Sequence, residues 1–310
     1  MASGLRLYTL NHSYFKTWSS DMAYILGFTC ADGCVYHRTL SWELSNKFSS
    51  DKELLEQISK KLGSTYEVER RPKSFRLRIN SSLIVRNLKD FGIIPNKTKI
   101  LKFPDIPRPF LRDFIRGFLD GDGWVLASNK GGSLEIVIGF CNGSYDFMKG
   151  LVDVLRKNIK ISNFNLRKRI KKRSSGYDSV FYQLEFYSDN AFRLIKFLYD
   201  NLDDLGLYLR RKFESQEVAR KFHKTNLKIR KFSKKFVKIE GLSNMDFTTE
   251  INRLLNDGLI PQDLSRKFGV SLSTIYRWMH KAGVQKISKR CSPEWAKRIL
   301  TSRSKKRYAK

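Results

Sequence analysis

The feature that most constrains the fold is a pair of apolar segments, each ending in an acid and a glycine. Residues 24–33 read Y-I-L-G-F-T-C-A-D-G, and residues 114–123 read F-I-R-G-F-L-D-G-D-G. Helices this apolar belong in a protein interior. Small residues recur four apart in both segments, which places them on one helix face and lets a second backbone approach closely. The two helices are therefore predicted to pack on each other.

This packing predicts an acidic site, because Asp32 and Asp122 each follow the last small residue of their helix. Two carboxylates held that close repel each other unless a proton or a cation lies between them. Mg²⁺ binds through one or two carboxylates, waters and phosphate oxygens, and such a site suits phosphodiester hydrolysis. The acids and the glycines Gly27 and Gly117 share one offset of 90 residues, which predicts two copies of one half-domain.

Residues 25–33 and 115–123 resemble the two signature motifs of the LAGLIDADG homing endonucleases of the single-chain type, over a region of about 21–215. In that family the eighth motif residue is the metal-binding acid, which falls on Asp32 and Asp122. The resemblance also implies metal ligation by the backbone carbonyls of Ala31 and Gly121. It implies Mg²⁺ or Mn²⁺ as cofactor, with Ca²⁺ supporting binding without cleavage.

The resemblance further implies cleavage of both DNA strands across the minor groove, leaving short 3′ overhangs. The first motif departs from the second by having Cys30 where the second has Asp120. That position is not the metal ligand in the family, so we expect the departure to matter little.

Two lysines are candidates for catalysis. In the resembling family an asparagine-lysine or arginine-lysine pair supplies a catalytic lysine, which falls on Lys97 and, more loosely, on Lys212. An ammonium at such a site offsets developing negative charge. Positioning a phosphate is an equally good interpretation of each lysine. Ser49 and Asn142, at the predicted ends of second strands, are candidates for holding water.

Each half is predicted as α-β-β-α-β-β-α, giving an α+β fold with two antiparallel sheets that form a saddle. The first strands are predicted over 35–40 and 41–49. Basic and amide side chains alternate with apolar ones along later strands, and such strands can reach phosphates and base edges in the DNA major groove. A merely solvated sheet face is the alternative for any single arginine. The predicted DNA-binding residues on the strands are Arg70, Arg76, Arg78, Asn80, Arg167, Arg169, Lys171, Arg173 and Gln183.

Charge supports a nucleic-acid partner. The 60 Lys and Arg residues outnumber the 30 Asp and Glu residues, for a net charge of +30, and an excess this large indicates a polyanion. The alternative is a solvated basic surface. The four cysteines and four histidines show no zinc spacing, so we expect free thiols in a reducing compartment. Without a secretory signal or a membrane-spanning run, we expect a protein of the cytoplasm, or of an organellar matrix if the gene is organellar. We also expect a monomer.

The last part of the chain is predicted to be a separate module. Residues 220–238 are rich in Lys and Arg and contain no acid, which is typical of a linker lying on phosphate or of a solvated charge run. Residues 251–284 resemble a helix-turn-helix, with recognition helix 272–281. Ser273, Thr274 and Arg277 are its expected groove-facing residues. A helical hairpin used only for packing is the alternative.

These observations predict four segments: half-domains at 1–110 and 111–215, a basic linker at 216–245 and a helix-turn-helix domain at 246–310. The function that we expect is site-specific cleavage of double-stranded DNA. One alternative is a non-catalytic transcription regulator that joins a LAGLIDADG domain to a helix-turn-helix. Another is an RNA-binding maturase acting on intron RNA. Because the chain starts Met1-Ala2 and finishes Ala309-Lys310, we do not expect a self-splicing intein.

Overall fold

The computed structural model describes residues 8–130, 133–159, 161, 166–172, 178–200, 206–223, 251–268 and 270–281. The chain divides into two compact units, one formed by 1–127 with 136–220 and the other by 128–135 with 221–310. Arg173 and most of the predicted basic linker lie outside the described residues. No described helix is both long enough and apolar enough to cross a membrane.

The first unit contains two copies of the predicted element order. The first copy consists of α1 (Ser20–Asp32), β1 (Gly33–Tyr36), β2 (Thr39–Ser45), α2 (Ser49–Lys61), β3 (Val68–Arg70), β4 (Ser74–Asn80) and α3 (Ser82–Lys89). The second consists of α4 (Leu111–Asp122), β5 (Gly123–Lys130), β6 (Ser133–Asn142), α5 (Tyr145–Ile159), β7 (Leu166–Lys171), β8 (Ser179–Tyr187) and α6 (Ser188–Tyr199). A further helix, α7, covers 210–223. The predicted duplicated α+β fold is confirmed.

Each half carries one four-stranded sheet, with strand orders β1-β2-β4-β3 and β5-β6-β8-β7. In β2, Leu40, Trp42 and Leu44 are buried, whereas Ser41 and Glu43 between them are not. Their partners in antiparallel β4 alternate in the same way. Each face of the sheet therefore has a different character, apolar against the helices and polar on the other side.

The first hairpin differs from its prediction. The turn lies at His37 and Arg38, where β1 and β2 close on the pair Tyr36 and Thr39, rather than at residues 40 and 41. His37 adopts a left-handed backbone with φ 51°, a conformation usually marked in sequence by glycine, asparagine or aspartate. Because none of these residues stands there, the sequence gives no turn signal.

The second unit is described for the three helices of 251–281. They are α8 (251–256), α9 (Pro261–Phe268) and α10 (Leu272–Lys281). Ile251, Leu264 and Ile275 form the centre of their apolar core, with Trp278 packed at its side. Ser271 accepts a hydrogen bond from the Thr274 amide at 3.3 Å, which caps α10. Gly269, between α9 and α10, lies outside the described residues.

Candidate active site and nucleic-acid interface

The site begins at the crossing of α1 and α4, where glycine lets two backbones touch. A Cβ added to Gly27 would overlap the carbonyl oxygen of Phe114, and one added to Gly117 would overlap the carbonyl oxygen of Tyr24. Residues 24 and 27 are related to 114 and 117 by the same offset of 90. The crossing is therefore reciprocal, with each half contributing the same two positions.

The two acids meet at the end of this crossing. A Cβ on Gly121 would overlap that of Ala31 and would lie 3.2 Å from Oδ2 of Asp32. Burial, and next the negative charge of Asp32, raise the pKa of Asp122 to about 7. Burial also raises the pKa of Asp32. The pair behaves as a coupled acidic site that favours a bound proton or cation.

Both predicted lysines lie at this site, one at the end of each motif helix. The Lys97 ammonium donates to the carbonyl oxygen of Gly33 at 2.5 Å. The Lys212 ammonium donates to the carbonyl oxygens of Leu119 and Asp120, each at 2.6 Å, and lies 3.3 Å from that of Gly121. Burial lowers the pKa of Lys97 and lowers that of Lys212 to about 8. The ammonium groups of Lys97 and Lys212 are thus both buried near the two acids.

Asn142 also joins the site. Its side-chain amide donates to Oδ2 of Asp122 at 3.2 Å, while its oxygen accepts from the Ser144 amide at 2.9 Å. This second bond orients the side chain, so that its N–H group points at the carboxylate. Asn142 is the last residue of β6, as predicted.

The expected counterpart Ser49 is placed differently. The structure corrects its predicted position at a strand end, because β2 stops at Ser45 and Ser49 is the exposed first residue of α2. The hydrogen bonds of the described residues give Ser49 no contact like that of Asn142. The water-holding pair predicted from the sequence is therefore not symmetric.

A buried acid beneath the site was assigned no role in the sequence analysis. Oδ2 of Asp120 accepts from the Tyr24 hydroxyl at 2.6 Å and from the Leu209 amide at 2.8 Å. Burial raises the pKa of Asp120, while the cation of Lys212 opposes that rise most strongly. Asp120 therefore connects α1, α4 and the segment that carries Lys212.

An ion pair of Asp51 with Arg211, which the sequence analysis did not predict, lies near Asp32. Arg211 donates from Nε to Oδ1 of the fully buried Asp51 at 2.9 Å, and its guanidinium lies over the Phe48 ring at 5.6 Å from the ring centroid. Asp51 raises the pKa of Asp32 and Arg211 lowers it. The pair ties α2 of the first half to α7, so it joins segments 160 residues apart.

The polar face of the first sheet carries Arg76, Arg78 and Asn80, whereas the strand register pairs Arg70 with the buried Phe75 and so puts it on the apolar side. Arg70, Arg78 and Asn80 are exposed. Arg76 is only half-buried, and its guanidinium contacts the carboxylate of Glu69 at 3.1 Å. That ion pair makes Arg76 a poorer candidate than Arg78 for contacting phosphate, because part of its donor set is already used.

The second sheet presents a more basic edge. Arg167, Arg169 and Lys171 are exposed on β7, on the side opposite the buried Leu184 of β8. Nε of Arg169 donates to the side-chain oxygen of Gln183 at 2.9 Å. The structure thus brings the predicted row together, and Gln183 serves to fix one of its members.

The predicted groove-facing residues of α10 divide into two groups. Ser273 and Arg277 are exposed, whereas Thr274 is half-buried with its hydroxyl 3.0 Å from that of Ser271. Tyr276 and His280 are also exposed, and the spacing of 273, 276, 277 and 280 puts these side chains on one helix face. The sequence analysis missed Tyr276 and His280, although the same periodicity could have identified them.

The donor set fits a hard divalent cation. Asp32 and Asp122 supply two partly buried carboxylates of like charge, and backbone carbonyl oxygens lie beside them. The described residues contain no group of three or more His, Cys, Asp or Glu side chains able to hold a metal. Water and phosphate oxygens would complete the coordination, which is usual for Mg²⁺. The site thus combines two paired acids with two buried lysines.

Comparison with known proteins finds a domain family that matches the second half of the site, with Asp122 and Asn142 inside the matched range. Residues 109–198 match the LAGLIDADG-like domain family. A stretch of 142 residues, 44% of the chain, is 30% identical to the DNA-directed RNA polymerase subunit Rpo1C of Methanocaldococcus jannaschii. The match spans only 16% of that polypeptide.

Solved structures of LAGLIDADG homing endonucleases are among the similar folds. The meganuclease I-AabMI bound to uncleaved DNA is 11% identical, with 66% of this chain and 91% of that one covered and a TM-score of 0.45. I-GzeII in complex with its DNA target is 11% identical, with coverage of 68% and 92% and a TM-score of 0.44. I-SmaMI bound to uncleaved DNA in the presence of calcium ions is 13% identical, with coverage of 68% and 93% and a TM-score of 0.42.

Proposed function

We propose that the chain is a divalent-metal-dependent, site-specific endonuclease that cuts both strands of a long DNA target. The observation that carries the proposal is the meeting of Asp32 and Asp122 at one helix crossing, with a buried lysine at the end of each helix. Both lysines bond the last carbonyls of the motif helices, as cationic helix caps do. At a metal-phosphate site the same two cations would also offset developing negative charge.

Asp32 and Asp122 would hold Mg²⁺ or Mn²⁺, with the Ala31 and Gly121 carbonyls as expected additional ligands. The metal supplies Lewis-acid stabilisation of the phosphate and a water of lowered pKa. Lys97 has one described acceptor, the Gly33 carbonyl, and an ammonium has three donors. Its remaining N–H groups are therefore able to donate to a phosphate oxygen or to the attacking water. Lys212 already directs its three donors at the carbonyl oxygens of residues 119–121, so in the second half it would act through its positive charge, which offsets developing negative charge.

The reciprocal crossing suits a duplex substrate. Two antiparallel DNA strands are related by a twofold axis, and one acid with one lysine from each half would face each scissile phosphate. We accordingly expect two cuts and short 3′ overhangs. Because both halves lie in one chain, the proposed enzyme is a monomer. It would act in the cytoplasm or in an organellar matrix. The exposed arginines of β4 and β7 would hold the duplex through phosphate and base contacts.

The test is cleavage of a randomised duplex library with Mg²⁺, beside the same library with Ca²⁺ and with Asp122→Asn. Asp105→Asn is the matched control, because Asp105 is exposed and the substitution removes one negative charge outside the site. We expect selective double-strand cuts by the wild type and by Asp105→Asn with Mg²⁺. These cuts should disappear with Ca²⁺ and in Asp122→Asn. Cutting by Asp122→Asn at the wild-type rate would refute the proposal.

The second candidate is a transcription regulator that binds DNA without cutting it. It is favoured by the separate apolar core of 251–281 and by the exposed face of α10 with Ser273, Tyr276, Arg277 and His280. As a helix-turn-helix, this module would either extend the target site or bind an operator. Sequence-specific retention of library members without any cleavage would select the regulator over the endonuclease.

A further inference from the structure

A large cavity lies in the first unit at the end of the sheet where β1 stops. It has a volume of about 1090 Å³ and is lined by the β1–β2 turn, the end of β4, the start of α3 and residues near the N-terminus. β1 runs from Gly33 to Tyr36, and a strand rises about 3.3 Å per residue. The cavity therefore lies roughly 10 Å along the strand from the acids, and of the predicted DNA-binding residues it includes Arg78 and Asn80.

The lining combines aromatic rings with cations. Tyr8 and Tyr66 stack with ring centroids 4.2 Å apart, and Tyr36 meets the His37 ring edge-on at 4.2 Å. Tyr8 is 44% exposed and Tyr36 is 66% exposed, so ring surface faces the opening. Arg38 and Arg78 also line the cavity, and no Asp or Glu stands among the described residues that form its wall.

We propose that this cavity binds an unpaired nucleotide, with its base stacked on Tyr36 or Tyr8 and its phosphate against Arg38 and Arg78. Every nucleobase has a π face that stacks on tyrosine, and arginine recognises phosphate through paired donors. Within a duplex the base faces are already covered by neighbouring bases, so exposed rings in a concave site select unstacked nucleotides. A volume above the roughly 300–1,000 Å³ of ordinary small-molecule sites accommodates part of a strand.

Two details of the backbone and side chains support the assignment. His37 holds the turn in a left-handed conformation with φ 51°, and such outliers concentrate at binding sites. Asn80 accepts a hydrogen bond from the Thr39 hydroxyl at 2.8 Å through its side-chain oxygen. Its N–H groups are left to donate to a base edge within the same cavity.

The test compares three probes in a chelating buffer: an oligothymidylate of about a dozen nucleotides, a blunt duplex and thymidine monophosphate. Tyr36→Leu removes the ring but keeps apolar bulk, and Tyr36→Phe keeps the ring. We expect Tyr36→Leu to weaken single-strand binding roughly 5- to 100-fold, and Tyr36→Phe to change it by less than about twofold. Duplex affinity should change less than about twofold in both variants. Equal loss for duplex and single strand, or no loss for either, would overturn the proposal.

Arg108→Ala controls for the high net charge, because Arg108 is exposed and outside the cavity. It should leave the preference for single strand over duplex unchanged, whereas Arg38→Ala should reduce it. Competition by the monophosphate would identify a free nucleotide as the occupant, and competition by oligonucleotides alone would identify a strand. Photocrosslinking of an iodouracil-containing oligonucleotide to the wild type should label peptides with Tyr8, Tyr36 or Tyr66. Labelling confined to β7 or 251–281 would overturn the assignment.

These measurements do not depend on the proposed endonuclease function. Binding is measured without divalent metal, and the varied residues lie away from Asp32 and Asp122. Loss of cleavage with retained single-strand binding would refute only the endonuclease proposal.

Discussion

Asp122→Asn should make the protein more stable while removing its proposed activity. The wild-type carboxylate is destabilising when ionised, because burial and the charge of Asp32 raise its pKa from 3.8 to about 7. Asparagine has the shape of the neutral acid, and its side-chain oxygen can still accept the hydrogen bond from Asn142. The substitution therefore removes a charge while keeping the volume of the side chain.

The magnitude follows from the two pKa values and carries a definite pH dependence. The folded protein binds the proton more tightly than the unfolded chain, so the penalty is absent below pH 3.8 and grows as the pH rises to about 7. At about 1.4 kcal/mol for each pH unit, the penalty is about 2 kcal/mol at pH 5 and about 4 kcal/mol at pH 8. Asp122→Asn should raise the free energy of unfolding by these amounts.

The assay is urea unfolding at about pH 5 and pH 8 in a metal-free buffer, followed by hydrogen exchange of peptides from α1 and α4. These peptides report on the first unit separately from 251–281. Asp105→Asn is the control for net charge and should change stability by less than about 0.5 kcal/mol. Added Mg²⁺ should stabilise the wild type, since a ligand that binds the folded state stabilises it. The difference in free energy of unfolding between Asp122→Asn and the wild type should then become smaller. Equal stability of Asp122→Asn and wild type at pH 8, or a gap that does not shrink toward pH 5, would refute the reasoning.

Three further predictions concern the helix crossing and its neighbours. Gly27→Ala should destabilise the first unit by about 2 kcal/mol or more in urea unfolding, because the new methyl overlaps the Phe114 carbonyl; an unchanged unfolding midpoint would contradict the close backbone contact. Lys212→Met should slow the proposed cleavage by roughly 100-fold or more in single-turnover assays, with DNA affinity changed less than about threefold; equal losses of rate and affinity would instead indicate a phosphate-positioning lysine. Tyr24→Phe should lower the free energy of unfolding by about 1–3 kcal/mol, because it removes a buried hydrogen bond to Asp120; unfolding at the wild-type urea concentration would contradict that bond.

The sequence predicts the parts of the structure that periodicity and small residues encode. The alternation of Phe75, Leu77 and Ile79 with polar neighbours predicted β4, and the glycine spacing predicted the crossing of α1 and α4. It could not predict the ion pair of Asp51 with Arg211, because a contact across 160 residues leaves no local pattern. Nor could it place the turn at His37, where the usual turn residues are absent.

The difference between the two motifs affects how the two lysines are held. Position 30 is a cysteine where position 120 is an aspartate, and neither is among the proposed metal ligands. Yet Asp120 accepts the Leu209 amide at 2.8 Å and thereby fixes the segment that delivers Lys212 to three carbonyl groups. Cys30 is fully buried and its thiol can offer only a weak hydrogen bond, while Lys97 reaches one described carbonyl. The two lysines are therefore held with different rigidity. The two halves differ in how they position the lysine, although each contributes one acid, Asp32 or Asp122, to the site.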